Sequence, residues 1–253
     1  MSYNIAVAGK GGSGKTSTAC LVIRYLMKNC SGPILAVDAD ANANLGDSLG
    51  LEVKETVGQI LNEFQGDKIK IPSGMTKQVY LEYKLNEIVV ESKGLDLVTM
   101  GRGEGAECYC YPNVILRKFV DGLAENYAYT VLDNEAGMEH LSRGTTQNID
   151  DLLIISGYSV KGIRAVARIR ELVSQLELDV KRQSVIITLA PPQFDPAINE
   201  ELARLKIEPI TTIPFDEELQ DYDIRFRPLL DLPDTAKSVV AVNNLMNNLL
   251  NKN

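Results

Sequence analysis

The chain reads as an α/β protein with a mostly parallel, twisted sheet flanked by helices on both faces. Three observations predict this. Short continuous apolar runs, among them Ile5-Ala6-Val7-Ala8, Ile34-Leu35-Ala36-Val37 and Leu152-Leu153-Ile154-Ile155, have the length and apolarity of buried parallel strands. Segments with helical spacing separate these runs, the pattern of β-α-β units. Acidic or glycine-rich stretches follow several of them, at the strand ends where sheets of this class hold ligands.

The elements can be taken in order. The first apolar run feeds the turn Gly9-Lys10-Gly11-Gly12-Ser13-Gly14-Lys15-Thr16. From Ser17, Ala19, Val22, Ile23 and Leu26 fall on one helical face, and Ser31-Gly32-Pro33 ends the helix. Ile34–Val37 is the next strand and stops at Asp38. Residues 52–94 are more polar and predict helices and loops at the sheet edge. Leu95–Met100 predicts a strand, Gly101–Gly105 a glycine-rich loop leading to Cys108 and Cys110, and Val114–Ala124 a helix. Tyr129–Leu132 predicts a strand ending at Asp133, and Leu152–Ile155 another, followed by a helix through Leu176. Ser184–Leu189 and Ile210–Ile213 complete the sheet, and a last helix runs from Thr235 to Leu250. No repeat, low-complexity tract or linker interrupts residues 1–253, so one domain is expected.

Charge and composition narrow the function classes. With 26 Lys+Arg against 34 Asp+Glu the net charge is -8, which argues against nonspecific nucleic-acid coating. No uninterrupted apolar run approaches the roughly 20 residues that span a bilayer, so no membrane partner is expected. The sequence enters its first strand directly after Met1-Ser2-Tyr3-Asn4, which predicts no signal peptide and a cytoplasmic location. In that compartment the four cysteines are expected as thiols or metal ligands rather than disulfides.

The chemistry concentrates in three motifs. Residues Gly9 to Thr16 match G-x-x-x-x-G-K-S/T between a strand and a helix, the context of a phosphate-binding loop. Gly9, Gly11, Gly12 and Gly14 let backbone N–H groups converge on phosphate oxygens with Ser13, and the helix beginning near Ser17 directs its positive end at the same anion. Lys15 reaches the terminal phosphates, and Thr16 supplies a hydroxyl for Mg²⁺. Asp38-Ala39-Asp40 ends one strand; pleating would put both carboxylates on one side, Asp38 toward Mg²⁺ and Asp40 toward the attacking water. Asp133 ends another strand as a further Mg²⁺ partner, with Gly137 offering a backbone N–H to the γ-phosphate. Pro214, in Pro214-Phe215-Asp216, is expected as a wall for the base. The guanine-reading motif Asn-Lys-x-Asp is absent from the interior, which favours ATP.

Lys10 is not needed by a generic phosphate loop. Lys10-Gly11-Gly12-Ser13-Gly14-Lys15-Thr16, with Asp38-x-Asp40 and Asp133 to Gly137, resembles the deviant Walker A ATPases related to MinD, ParA, the arsenite-pump ATPase and the nitrogenase iron protein. That resemblance implies a homodimer sandwiching two nucleotides, with catalytic roles for Lys10, Lys15 and Asp40 and with Lys10 reaching the partner's nucleotide. Cys108-Tyr109-Cys110 provides only two thiolates, whereas a closed soft-metal site wants four ligands. Two such pairs facing across a two-fold axis would supply them, and a single-chain site with His140 is the alternative.

Gly105 to Cys110, with Leu116-Arg117 and Asp133 to Arg143, resembles the CooC-type nickel-insertion ATPases. The resemblance implies ATP hydrolysis to ADP and nickel or zinc on Cys108 and Cys110. It further implies an apo carbon monoxide dehydrogenase or acetyl-CoA synthase as client. The chain departs from its relatives at Thr188-Leu189-Ala190-Pro191-Pro192, where an Asn is common, and at Ser156-Gly157-Tyr158-Ser159, where Asp-Pro-Ser is common. Two other classes compete: a positioning ATPase acting on DNA or membrane, and an electron-transfer ATPase with an iron–sulfur cluster between subunits.

Overall fold

The computed structural model describes residues 2–65, 71–102, 118–135 and 148–250. Its centre is an eight-stranded sheet. The strands are β1 (Tyr3–Gly9), β2 (Ile34–Asp38), β3 (Val90–Ser92), β4 (Leu95–Thr99), β5 (Tyr129–Asp133), β6 (Asn148–Gly157), β7 (Asp179–Thr188) and β8 (Pro209–Ile213). Their order across the sheet is β3-β4-β2-β5-β1-β6-β7-β8. Every neighbouring pair is parallel except β3 and β4. The helices are α1 (Lys15–Asn29), α2 (Leu45–Leu49), α3 (Val57–Gln65), α4 (Lys77–Glu87), α5 (Val160–Gln175), α6 (Pro196–Arg204), α7 (Glu217–Ile224) and α8 (Lys237–Leu250). Residues 118–124 are also helical. The α/β architecture expected from the sequence is therefore present, with its mostly parallel sheet.

Strand pleating divides the apolar residues between two layers. Ile5 and Val7 of β1 join Ala36, Val131 and Ile155 in the core beneath α1 and α8, where Leu26, Val242 and Met246 pack. Ala6 and Ala8 face the opposite way, into the core closed by α3, α4, α5 and α6. The small side chains of β1 allow close approach on that face.

The strand boundaries differ from the sequence reading in several places. β6 and β7 begin earlier because their amino-terminal halves are polar but ion-paired: Lys181 reaches Asp150 at 2.6 Å, and Arg182 pairs with the fully buried Asp151. Charged residues masked the strand signal there. β7 also stops one residue early. Leu189 has φ +55°, a left-handed conformation that no strand residue adopts. Residues 52–94 do contain helices, but they end in a short antiparallel edge strand that the sequence reading did not assign. β3 turns into β4 through Lys93-Gly94, with Gly94 at φ +79° as a two-residue hairpin requires. The segment Val114–Ala124 is helical from residue 118; its beginning lies outside the described residues.

α1 is the pivot of one layer. Arg24, almost fully buried, donates to the carbonyls of Leu230 and Leu232 and to Asp234, tying α1 to the segment that precedes α8. Leu26 on the same helix is fully buried. Leu26→Ala is expected to lower unfolding free energy by about 3 kcal/mol. Val240→Ala, on the outer side of α8 at 44% exposure, is expected to cost less than about 0.5 kcal/mol. Urea denaturation of both variants checks the contrast.

Candidate nucleotide site

The site is assembled at the carboxyl ends of the central strands. β1 delivers the chain into the loop at Gly9, where a side chain cannot be fitted. A Cβ there would lie 2.3 Å from the Ile155 carbonyl oxygen and 2.8 Å from Ser13 Oγ. Gly12 and Gly14 hold φ +72° and +85°, and Gly14 opens α1 with no side-chain cap. The first N–H groups of α1 are thus left for an anion. The loop is braced from within by Ser13 N–H donating to the Lys10 carbonyl at 3.2 Å. It is braced from β7 by the Thr188 hydroxyl, which donates to the Ser13 carbonyl at 2.8 Å. Thr188 escaped the sequence reading; its signal is a hydroxyl ending an apolar strand at the ligand edge.

The carboxylates meet because of strand order. β2 and β5 are neighbours in parallel, and their register pairs Asp38 with Asp133. Both side chains are fully buried. Thr16 donates to Asp133 Oδ2 at 2.6 Å across 117 residues of sequence. Asp38 accepts the backbone N–H of Asp40 at 3.0 Å and of Leu45 at 2.9 Å. Burial pushes the Asp133 carboxyl up to about 7, with the neighbouring Asp38 charge adding to it, while Thr16 and Lys15 oppose. Burial likewise pushes Asp38 up to about 6 against its two backbone donors.

Asp40 lies just beyond the end of β2, where its charge helps to raise the Asp38 and Asp133 carboxyls. Its Oδ1 accepts from the Asn42 backbone and side chain at 2.8 and 2.9 Å. The same turn holds Ala43 at φ +54°, a strained value for a residue with a Cβ. Lys15 is buried beside the carboxylates, whereas Lys10 is exposed. Asn134, unassigned from sequence, is fully buried and donates twice to the Val7 carbonyl, fixing the end of β5 against β1.

A divalent cation fits this set. Asp133 Oδ1, Asn134 Oδ1 and Ser13 Oγ are buried without hydrogen-bond partners, and leaving buried polar atoms unpaired is costly. Two carboxylates and a hydroxyl are the hard oxygen donors Mg²⁺ prefers. Thr16, Asp133 and Asp38 are the residues that would hold the ion, whose charge would offset that of bound phosphates.

Beside the loop a cavity of about 280 Å³ runs from Gly12 and Ser17 to Thr188, Leu189, Pro214 and Phe215. Pro214 is part of that lining. Cys108 and Cys110, together with Gly137 and His140, lie outside the described residues. Of the other cysteines, Cys20 is buried in α1, where burial holds its thiol well above the usual range. Among the described residues no group of three or more His, Cys, Asp or Glu side chains is arranged to hold a metal.

A strand–loop–helix phosphate cradle, a hydroxyl-carboxylate cation site and an adjoining cavity define a phosphate-loop nucleotide-binding protein. Comparison with known proteins agrees: residues 5–229 match the CobQ/CobB/MinD/ParA nucleotide binding domain, and the chain belongs to that family. It is 41% identical over 250 residues to the uncharacterized ATP-binding protein MJ0685 of Methanocaldococcus jannaschii, covering 98% of each chain. It is 25% identical over 230 residues to the carbon monoxide dehydrogenase accessory protein CooC of Rhodospirillum rubrum, covering 87% of this chain and 86% of that one. The fold matches the septum site-determining protein MinD of Pyrococcus horikoshii, complexed with Mg-ADP, at TM-score 0.69 and 16% identity, covering 98% and 96%.

The raised carboxyls make a pH prediction. A carboxyl whose pKa is higher in the fold than in the unfolded chain binds its proton more tightly in the fold. Its contribution to stability is therefore fullest below the unfolded value of 3.8 and falls as pH rises to about 7 for Asp133. Asp133→Asn is expected to gain stability relative to the parent chain as pH rises from about 5 to 8, without Mg²⁺ or nucleotide. Parallel thermal melts across that range check the sign; an unchanged difference contradicts it.

Proposed function

We propose that this chain is an ATPase that closes as a homodimer over its nucleotides. In this reading it delivers nickel to an apo carbon monoxide dehydrogenase or acetyl-CoA synthase in the cytoplasm. ATP and water give ADP and phosphate. The loop N–H groups and Lys15 bind the phosphates. Asp40, on its half-buried turn, orients the attacking water, and Lys10 offsets charge on the partner subunit's nucleotide. The exposure of Lys10, in contrast to the burial of Lys15, supports a role outside its own phosphate site.

The observation that carries the nickel part is Cys108-Tyr109-Cys110 in a chain of this family. Two thiolates are half of a tetrahedral set, and a two-fold axis supplies the other half. Thiolates do not choose nickel over zinc by affinity. The nickel reading is supported by the similarity to the carbon monoxide dehydrogenase accessory protein of R. rubrum. Dimer closure then couples metal affinity to nucleotide state, and linkage makes the coupling reciprocal.

A positioning ATPase is the competing reading, favoured by the fold match to MinD. A membrane version needs a free amphipathic helix. Here the apolar side of α8, with Val239, Val242, Leu245, Met246 and Leu249, is spent on the core. A DNA version needs a basic face, and the net charge is -8.

Metal titration of the Cys108→Ser, Cys110→Ser double variant tests the proposal. Nickel and zinc affinity is expected to fall by at least about tenfold with ATP binding retained. Undiminished metal binding would remove the chaperone reading and leave the ATPase.

A further inference from the structure

The carboxyl end of α7 departs from the usual chemistry of a helix terminus. Phe226 N–H donates to the Asp223 carbonyl at 3.2 Å, and Arg227 N–H donates to that of Tyr222 at 2.9 Å. This pair of bonds makes a Schellman turn, whose left-handed position is usually glycine. Here Phe226 holds it, at φ +52°. α5 and α6 end on left-handed residues too, but these are Glu177 and Lys206, charged side chains suited to water. Phe226 is 86% exposed and Ile224 70%, the highest values among the described large apolar side chains. A left-handed conformation costs free energy in a residue with a Cβ, and so exposed a ring returns little of it through burial.

The two apolar side chains project from a fixed frame. The Arg227 guanidinium lies 3.9 Å from the Tyr222 ring centroid and donates to the Tyr222 hydroxyl at 2.9 Å. That hydroxyl donates to the Asp231 carbonyl at 3.1 Å. Arg225 Nε donates to Asp221 Oδ1 at 2.6 Å. Both flanking arginines are thus engaged within the chain, while the carboxylates of Glu217, Glu218, Asp223 and Asp231 are exposed. An acidic rim repels an anionic lipid surface or a nucleic acid. A two-fold contact of this surface with itself would bring two acidic rims together. What complements it is a different protein, with an apolar socket and basic side chains around it.

We propose that Ile224 and Phe226 form the knob by which this chain docks on its client, the apo nickel enzyme, in an apolar socket rimmed by Lys or Arg. This rests on the delivery reading above. Contiguous exposed apolar groups mark such contacts, and a few buried aromatic anchors supply most of their affinity.

Phe226→Gly tests it, because glycine relieves the left-handed strain and removes the ring. In the full chain with ATP, its melting temperature is expected to equal or exceed that of the parent. Its affinity for apo carbon monoxide dehydrogenase or acetyl-CoA synthase is expected to fall at least about tenfold. Ile224→Ser is expected to weaken the same binding. An unchanged client affinity in Phe226→Gly overturns the inference, and so does a lowered melting temperature, which would show the ring holding the fold. Phe226-dependent sedimentation with phosphatidylglycerol vesicles, or loss of a parent dimer in Phe226→Gly, would give the knob to a membrane or to a second copy and also overturns it. Failure of the parent chain to bind either apo enzyme overturns the delivery reading itself, and this inference with it.

Discussion

The hydrogen bond from Thr16 to Asp133, 2.6 Å long and spanning 117 residues of sequence, joins the two halves of the nucleotide site. Thr16 belongs to the first turn of α1, whose position is set by the abrupt exit of β1 at Gly9. Asp133 is the last residue of β5, whose place between β1 and β2 is set by the parallel register. Neither residue can shift without moving a central strand or the helix packed on it. The surrounding apolar layers, with Ile5, Val7 and Val131 on one side and Ala6, Ala8 and Leu132 on the other, hold this geometry. The core sets the distance, and the distance makes the phosphate loop and the cation carboxylates one site.

The same burial that fixes the site also charges it with unfavourable electrostatics. Asp38 and Asp133 sit side by side without solvent, and both carboxyls are raised above their usual range. Unpartnered oxygen atoms remain on Asp133, Asn134 and Ser13. An arrangement that costs stability in the free chain and is relieved by a cation is what a binding site requires, and strain at Ala43 and Leu189 frames it on two sides. Stability is spent where ligands bind and recovered in the layers away from them.

Much of this was legible in the sequence because the informative signals are local. The loop from Gly9 to Thr16 carries its own strand and helix, so its function follows from spacing alone. Asp38 and Asp133 were legible as strand-ending carboxylates, but their adjacency was not: it depends on β5 inserting between β1 and β2. Asp40 was legible from its spacing to Asp38, but the turn in which Asn42 holds its Oδ1 was not. The starts of β6 and β7 were hidden by charges whose partners lie on the neighbouring strand. Thr188 and Asn134 were missed for the same reason: each acts through a backbone carbonyl of a distant strand or loop.

Lys10 and Cys108-x-Cys110 are the features to which the proposed function gives a meaning that depends on a second copy of the chain. In the proposed function, an exposed lysine in a phosphate loop and a two-thiolate half-site would both be completed by one two-fold axis. The most direct test is molecular mass measured together with nickel content, with ADP and with ATP. The account predicts a dimer with ATP carrying one metal ion per two chains. A monomer carrying one metal ion per chain would contradict it.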